Sequence, residues 1–303
     1  MATSAQPVSS AQDGSLAMGA AQPRKRQIKW GQVGRIAGVV VVTFVALAPF
    51  YWTVITSIKD SLEIVQSPPT IVPHSFTLKS YISDFSGGSS FFTRDLLNSF
   101  VVAAVTTVLC VGLGSLCAYA IARMRFFGKT ATLAVILGVT MFPVIVLVGP
   151  LFVQFTNLGI YNTYAALIIP DLVLTLPLTV WFLTSFFRDL PPDLEEAALV
   201  DGDTRLGAFR HVILPLAAPG VFTTAILAFI YTWNDFLFGL TMTSDPNGAQ
   251  TVTVAITLFG GQFTIPWGQI AAAAVIVTIP LVIMVLLFQR RIVSGLTAGA
   301  VKG

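Results

Sequence analysis

The stretch PPDLEEAALVDGDTRLGAFRHVILPL, residues 191–216, gathers five acids, two arginines and a histidine in a chain that is otherwise very apolar. Long hydrophobic runs flank it on both sides. Hydrocarbon rejects that density of charge, so the stretch reads as a loop between two membrane spans.

The loop has internal punctuation. Asp193 is placed to cap a helix, and Glu196 three residues later completes a capping-box-like pattern. Gly202 stands where a helix ends in the left-handed conformation. The helix so bounded, 194–201, spans two turns, ~12 Å, and a helix that short is marginal in water by itself. Leu194, Ala197 and Ala198 make a small-residue face, while Glu195 and Glu196 favour the positive end of the helix dipole and are free to meet a cation on a partner. Thr204 is placed to cap a second helix with Leu206, Phe209 and Val212 at i, i+3 and i+6, and Pro215 after Leu214 opens the next span. Two readings stay open on these residues alone: a helix held by a partner's socket, or an amphipathic loop resting on lipid headgroups.

The whole chain supports the membrane setting. Hydrophobic residues make up 55% and charged residues 10% of its 303 positions, and the mean hydropathy is +0.82, against roughly 25% charged in soluble domains. Cys110 and Cys117 lie in one apolar run, ~10 Å apart along a helix, too far for a disulfide, and read as packing thiols. The net charge of +3 calls for no nucleic acid. Residues 1–32 lack an apolar core and are neither a signal peptide nor a span; a disordered tail is expected.

Apolar stretches able to cross ~30 Å of hydrocarbon fall at about 34–57, 96–121, 131–154, 164–187, 215–241 and 269–289. Pro143, Pro150, Pro170 and Pro177 predict kinks or unwound backbone in the third and fourth. Six spans sort fourteen of the seventeen cations, Arg188, Arg205 and Arg210 of the quoted loop among them, to one side, leaving Lys59, Lys79 and Arg94 opposite. The positive-inside rule then makes both termini and the quoted loop cytoplasmic. The expected fold class is an all-α integral membrane protein with six transmembrane helices. A domain of 33–291 contains the loop 188–215, and a tail of 292–303 follows. Of the outer loops, 58–95 is punctuated by Pro, Gly and Ser without strong periodicity, and His74 in it reads as solvated.

The spacing Glu196-Ala197-Ala198, Gly202, then Val212, Leu214, Pro215 resembles the cytoplasmic signature of bacterial ABC-importer permeases: E-A-A, three residues, G, nine residues, I-x-L-P. Val212 replaces the usual isoleucine, a departure of little volume. Similarity to the maltose- and trehalose-type carbohydrate permeases extends through MFPVIVLVGPLFVQFTNLGIYNTYAALIIP, AFIYTWNDFLFGLTMTS and FQRRIVSGLTAGAVKG.

That resemblance implies an inner-membrane subunit whose short helix docks in a cleft of a cytoplasmic ATPase through Glu195, Glu196, Ala197, Ala198, Asp201, Gly202 and the Val212, Leu214, Pro215 exit. It implies a C-terminal tail, with Gly295, Leu296, Thr297 and Lys302, threading between ATPase subunits. The implied partners are a second permease subunit in a heterodimer, two ATP-binding cassette subunits, an extracytoplasmic solute-binding protein reached by the 242–268 loop, a sugar, and membrane lipid. No cofactor is expected on this chain, ATP and Mg2+ belonging to the partner. Gly128-Lys129-Thr130 mimics the end of a Walker A loop, but the earlier glycine is Arg123 and no strand precedes it.

Asp171 and Asp235 are the acids deepest in the expected spans, and Trp233-Asn234-Asp235, with Tyr231 nearby, offers the stacking face and hydrogen-bonding groups that sugars need. A structural polar network or a helix break at Pro170-Asp171 is the plainer reading of these residues. An ion-coupled secondary transporter is the alternative function; it calls for matched broken helices and an acid or histidine relay. A membrane enzyme calls for clustered catalytic residues, and no H-E-x-x-H spacing occurs.

Overall fold

A computed structural model describes residues 30–86, 91–245, 247–260 and 265–298, the side chains of 30, 33, 86 and 290–298 excepted. The expected tail lies outside the described residues up to residue 29, as does Lys302. The described residues are helical and contain no strand. Residues up to Ala48 and residues from Pro49 form two units. The first contributes the apolar opening of helix α1 (Trp30–Ile58), and the second holds everything that follows.

Among the described residues, four helices are long and apolar enough to cross a membrane: α1 from Gly34, α4 (Phe91–Arg123), α7 (Tyr164–Asp189) and α14 (Trp267–Ala298) over Trp267–Gln289. Two bent pairs bring the number to six if each counts as one span. The first joins α5 (Lys129–Val139) to α6 (Val144–Asn157) at 82°. Its break is at Pro143, which lacks an N–H, restricts the residue before it and becomes the cap of α6. The fourth expected span behaves differently: α7 runs unbroken through Pro170 and Pro177, both buried inside it.

The second pair joins residues Arg205–Leu216 to Ala218–Trp233 at 79°, a break inside the expected fifth span, 215–241, which is interrupted again further on. Helix α11 (Ala218–Trp233) ends at Asn234, and α12 (Leu237–Met242) starts afresh. The Asp235 carboxylate accepts the Gly239 N–H at 3.0 Å, which satisfies a donor that the new helix start leaves without a backbone partner.

Helices α4 and α7 pack along each other, with α11 against both and α14 against α11. Gly114 permits the α4–α7 approach, since a Cβ there would meet Thr179 Cγ2 at 2.7 Å. The described part of the loop 58–95 is more regular than its composition implies. It holds α2 (Ser61–Ile64) and α3 (Lys79–Ser86). Glu63 organises its first part, accepting the Thr70 hydroxyl at 2.6 Å and the His74 N–H at 3.0 Å. The His74 side chain is exposed, as expected of a solvated residue, and its ring also lies 3.2 Å from the Glu63 carboxylate. The Thr70 hydroxyl, then the His74 N–H, hold the Glu63 carboxyl down at about 2. Burial pushes Asp84 of α3 up to about 7.

On the far side of α12, helix α13 (Val252–Leu258) folds onto α4. The Ser99 hydroxyl accepts the Val252 N–H at 2.9 Å, and Asn98 donates to the Gln250 carbonyl at 2.8 Å. The 242–268 loop is thus tied to the helices at its start, while residues 246 and 261–264 lie outside the described residues.

Candidate functional site

The quoted loop contains α8 (Asp193–Val200), α9 (Arg205–Ala208), a π turn (Phe209–Ile213) and α10 (Leu214–Leu216). Helix α8 starts one residue earlier than expected, and the capping box is not formed. Asp193 is already helical, and the cap is Pro192, in helical geometry without a side-chain bond. The ring sets φ at a helical value, so the proline itself opens the turn. Its carbonyl accepts the N–H groups of Glu195 and Glu196 at 3.0 and 3.2 Å.

The other end follows the expectation. Asp201 caps the helix and Gly202 takes φ +91°. The Gly202 N–H bonds Leu199 and the Asp203 N–H bonds Ala198, at 3.2 and 3.0 Å. That crossed pair closes a helix when the residue after the cap is left-handed. Thr204 caps α9 as expected, accepting the Gly207 N–H at 3.1 Å.

The second amphipathic face differs from its expected register. Leu206 is 65% exposed and Val212 half-buried, while Ala208, Phe209 and Ile213 go into the core. The π turn adds a residue to the repeat and so rotates the face that follows. Leu214 is half-buried beside the same core, and Pro215 is exposed.

Along α8, Glu196, Ala197 and Val200 are exposed and Ala198 is half-buried. Glu195 departs from the partner-facing set in which the sequence placed it: only 8% exposed, it turns inward. Its Oε1 accepts the Tyr119 hydroxyl of α4 at 2.7 Å, and its Oε2 lies 3.8 Å from Arg123 Nε. The Tyr119 hydroxyl is also 3.1 Å from the Arg205 carbonyl, and Arg123 Nη2 donates to the Leu190 carbonyl at 2.7 Å. The Tyr119 ring packs at 4.8 Å on Phe209, which meets Phe187 edge-on at 6.0 Å. Five segments converge here: the end of α4, the end of α7, α8, α9 and the π turn.

Sequence reasoning missed Tyr119 and Arg123. Their signal was a hydroxyl and a cation four residues apart, one helical turn, at the charged end of an apolar span.

The five pathway candidates separate into two groups. Asp171 is 1% exposed and its Oδ1 has no hydrogen-bond partner; Trp233 Nε1 and Thr232 Oγ1 are likewise buried and unpaired. Asp171, Trp233 and Asp235 line a small internal pocket with Ser99, Thr232 and Thr251. Tyr231 and Asn234 are exposed. At the C-terminus, α14 continues past the expected boundary at 291, so the backbone of Gly295, Leu296 and Thr297 is helical. Among the described residues, no group of three or more His, Cys, Asp or Glu could hold a metal ion.

Residues 110–297 match the family described as "Binding-protein-dependent transport system inner membrane component". The chain is 45% identical to the trehalose/maltose transport system permease protein MalG of Thermococcus litoralis, over 88% of this chain and 96% of that one. Identity to the trehalose transport system permease protein SugB of Mycobacterium tuberculosis is 45%, over 85% and 93%. The sulfoquinovosyl glycerol transport system permease protein SmoH of Agrobacterium fabrum is 41% identical, over 90% and 95%. The fold matches a chain of a bacterial ABC transporter involved in import of the acidic polysaccharide alginate, with a TM-score of 0.70 at 19% identity over 87% of this chain and 98% of that chain. With its helices, its charged loop and these relatives taken together, the chain belongs to the multi-pass inner membrane components of binding-protein-dependent transport systems.

Proposed function

We propose that this chain is one membrane half of an ATP-driven importer of sugars, of the disaccharide or glycoside class that the names of its relatives share. The observation that carries the reading is the extent of similarity to the trehalose/maltose permease, 45% identity over 96% of that protein's length. A second permease subunit completes the pathway, two ATP-binding cassette subunits bind ATP and Mg2+, and an extracytoplasmic solute-binding protein delivers the sugar. This chain performs no hydrolysis itself.

Helix α8 is the coupling element in this reading, and its exposed face of Glu196, Ala197 and Val200 is what a partner's cleft would receive. Both termini and the loop are cytoplasmic, as the distribution of cations supports. The segment with Gly295, Leu296, Thr297 and Lys302 reaches the ATPase pair. Tyr231 and Asn234, whose side chains are exposed, are the pathway candidates available to a sugar. Asp171, Trp233 and Asp235 form the polar support behind them.

Reconstitution tests the proposal. The chain, its companion permease, the ATPase and the binding protein are placed in liposomes with labelled trehalose or maltose. Uptake that needs ATP and the binding protein is expected. Uptake driven by an ion gradient without ATP would reject it.

A further inference from the structure

We infer that Glu195 is a positioning residue: held by Tyr119 and Arg123, it makes α8 and the membrane-spanning α4 move as one body. The inference rests on the coupling reading above and assigns it a mechanical part.

Helix α8 is eight residues long, too short to hold its own shape or direction. If a partner pushes on its exposed face, the push reaches the membrane only through whatever binds its inner face. Its neighbours along the chain, α9 and the π turn, reach the spans through apolar side chains, Phe209 and Ile213 packing into the α4–α7 core. The Tyr119 hydroxyl and the Arg123 guanidinium, by contrast, project from the last turns of a 33-residue helix that crosses the membrane.

An apolar contact at this place could slide, because dispersion has no preferred direction. A hydroxyl-to-carboxylate bond of 2.7 Å holds both distance and angle. Burial strengthens it further: the Tyr119 ring packs on Phe209, which meets Phe187 edge-on, and Tyr119 and Glu195 are both buried, so the bond has little water to compete with it. The carbonyls of Leu190 and Arg205 gather on the same two α4 side chains, so the end of α7 is clamped in the same knot.

The neighbouring glutamate shows the division of labour. Glu196 is exposed, whereas Glu195 is buried and already committed within the subunit. One glutamate faces outward to a partner and the next faces inward to transmit.

The test uses the complete reconstituted importer carrying Glu195→Gln, Tyr119→Phe, or both, reading sugar transported per ATP hydrolysed. Glu195→Gln keeps an acceptor for Tyr119 and removes the charge facing Arg123. Tyr119→Phe keeps the ring on Phe209 and removes the hydroxyl. Each is expected to lower the transport-to-hydrolysis ratio by about fivefold or more, the lower range for coupled sites. The double variant should fall less than the product of the singles, because both break one linkage. A ratio equal to wild type would overturn the inference, as would uptake and hydrolysis falling together in proportion to lost complex. Failure of the underlying importer reading looks different: the unmodified complex would then show no ATP-dependent uptake.

Discussion

Tyr164, at the start of α7, donates its hydroxyl to Asn98 Oδ1 of α4 at 2.6 Å. Asn98 in turn donates to the carbonyls of Gly248 and Gln250, at 3.2 and 2.8 Å. One amide therefore joins the two longest-packed helices to a loop 150 residues further on. Asn98 is 1% exposed, so its oxygen has no water to fall back on. Tyr164→Phe should cost about 1–3 kcal/mol, the range for stranding a buried polar group. Thermal unfolding in detergent checks this: a midpoint unchanged from wild type would show that the network carries no stability.

The short helix offers a contrast between backbone and surface. Gly202→Val forces a β-branched residue into φ +91°, a conformation that costs an ordinary residue roughly 1–2 kcal/mol. Glu196→Lys changes only an exposed charge. Both variants should still insert in the membrane, and both should weaken sugar-stimulated ATP hydrolysis in the reconstituted complex by about fivefold or more. The ATPase signal and the amount of inserted chain are read in the same preparation. Stimulation at the wild-type level in both would count against docking through α8.

Two acids outside the spans set opposite pH dependences. Asp84 is raised to about 7 by burial, so the folded protein binds its proton more tightly than the unfolded chain does. Stability from this group is greatest in acid and declines as pH rises from about 4 to 7. Glu63 is lowered to about 2. Its contribution is complete above the unfolded value of about 4 and disappears as pH falls toward 2. Melting curves of wild type and Asp84→Asn from pH 4 to 8 decide the first point. The asparagine variant should lose part of the downward slope; parallel curves would contradict the assignment.

Val200 is 86% exposed at the end of α8 and makes an orientation probe. In a background without Cys110 and Cys117, Val200→Cys should react with a membrane-impermeant maleimide in inside-out vesicles and stay unlabelled in intact cells. Labelling from outside the cell would reverse the proposed topology and remove α8 from any ATPase.

Much of the architecture could be read from particular residues before any contact was known. The apolar runs correspond to α1, α4, α7 and α14 because exclusion of charge over ~20 residues is a local property. Gly202 was readable for the same reason, since a left-handed helix end selects glycine whatever surrounds it. Breaks were less legible. Pro143 interrupts a span while Pro170 and Pro177 do not, and the missing N–H is identical in each. What differs is the packing around the ring, which no local pattern encodes.

The sequence by itself determined which segments can enter hydrocarbon, and that a charged loop between two of them ends a short helix at Gly202. Those outcomes follow from side-chain transfer energies and from the φ range open to one residue. Only the tertiary structure decided that Glu195 turns toward Tyr119 and Arg123 while Glu196 faces out, and that Asp171 and Trp233 are enclosed while Tyr231 and Asn234 are not. Successive helical residues point about 100° apart, and which direction is the inside depends on where distant segments come to rest.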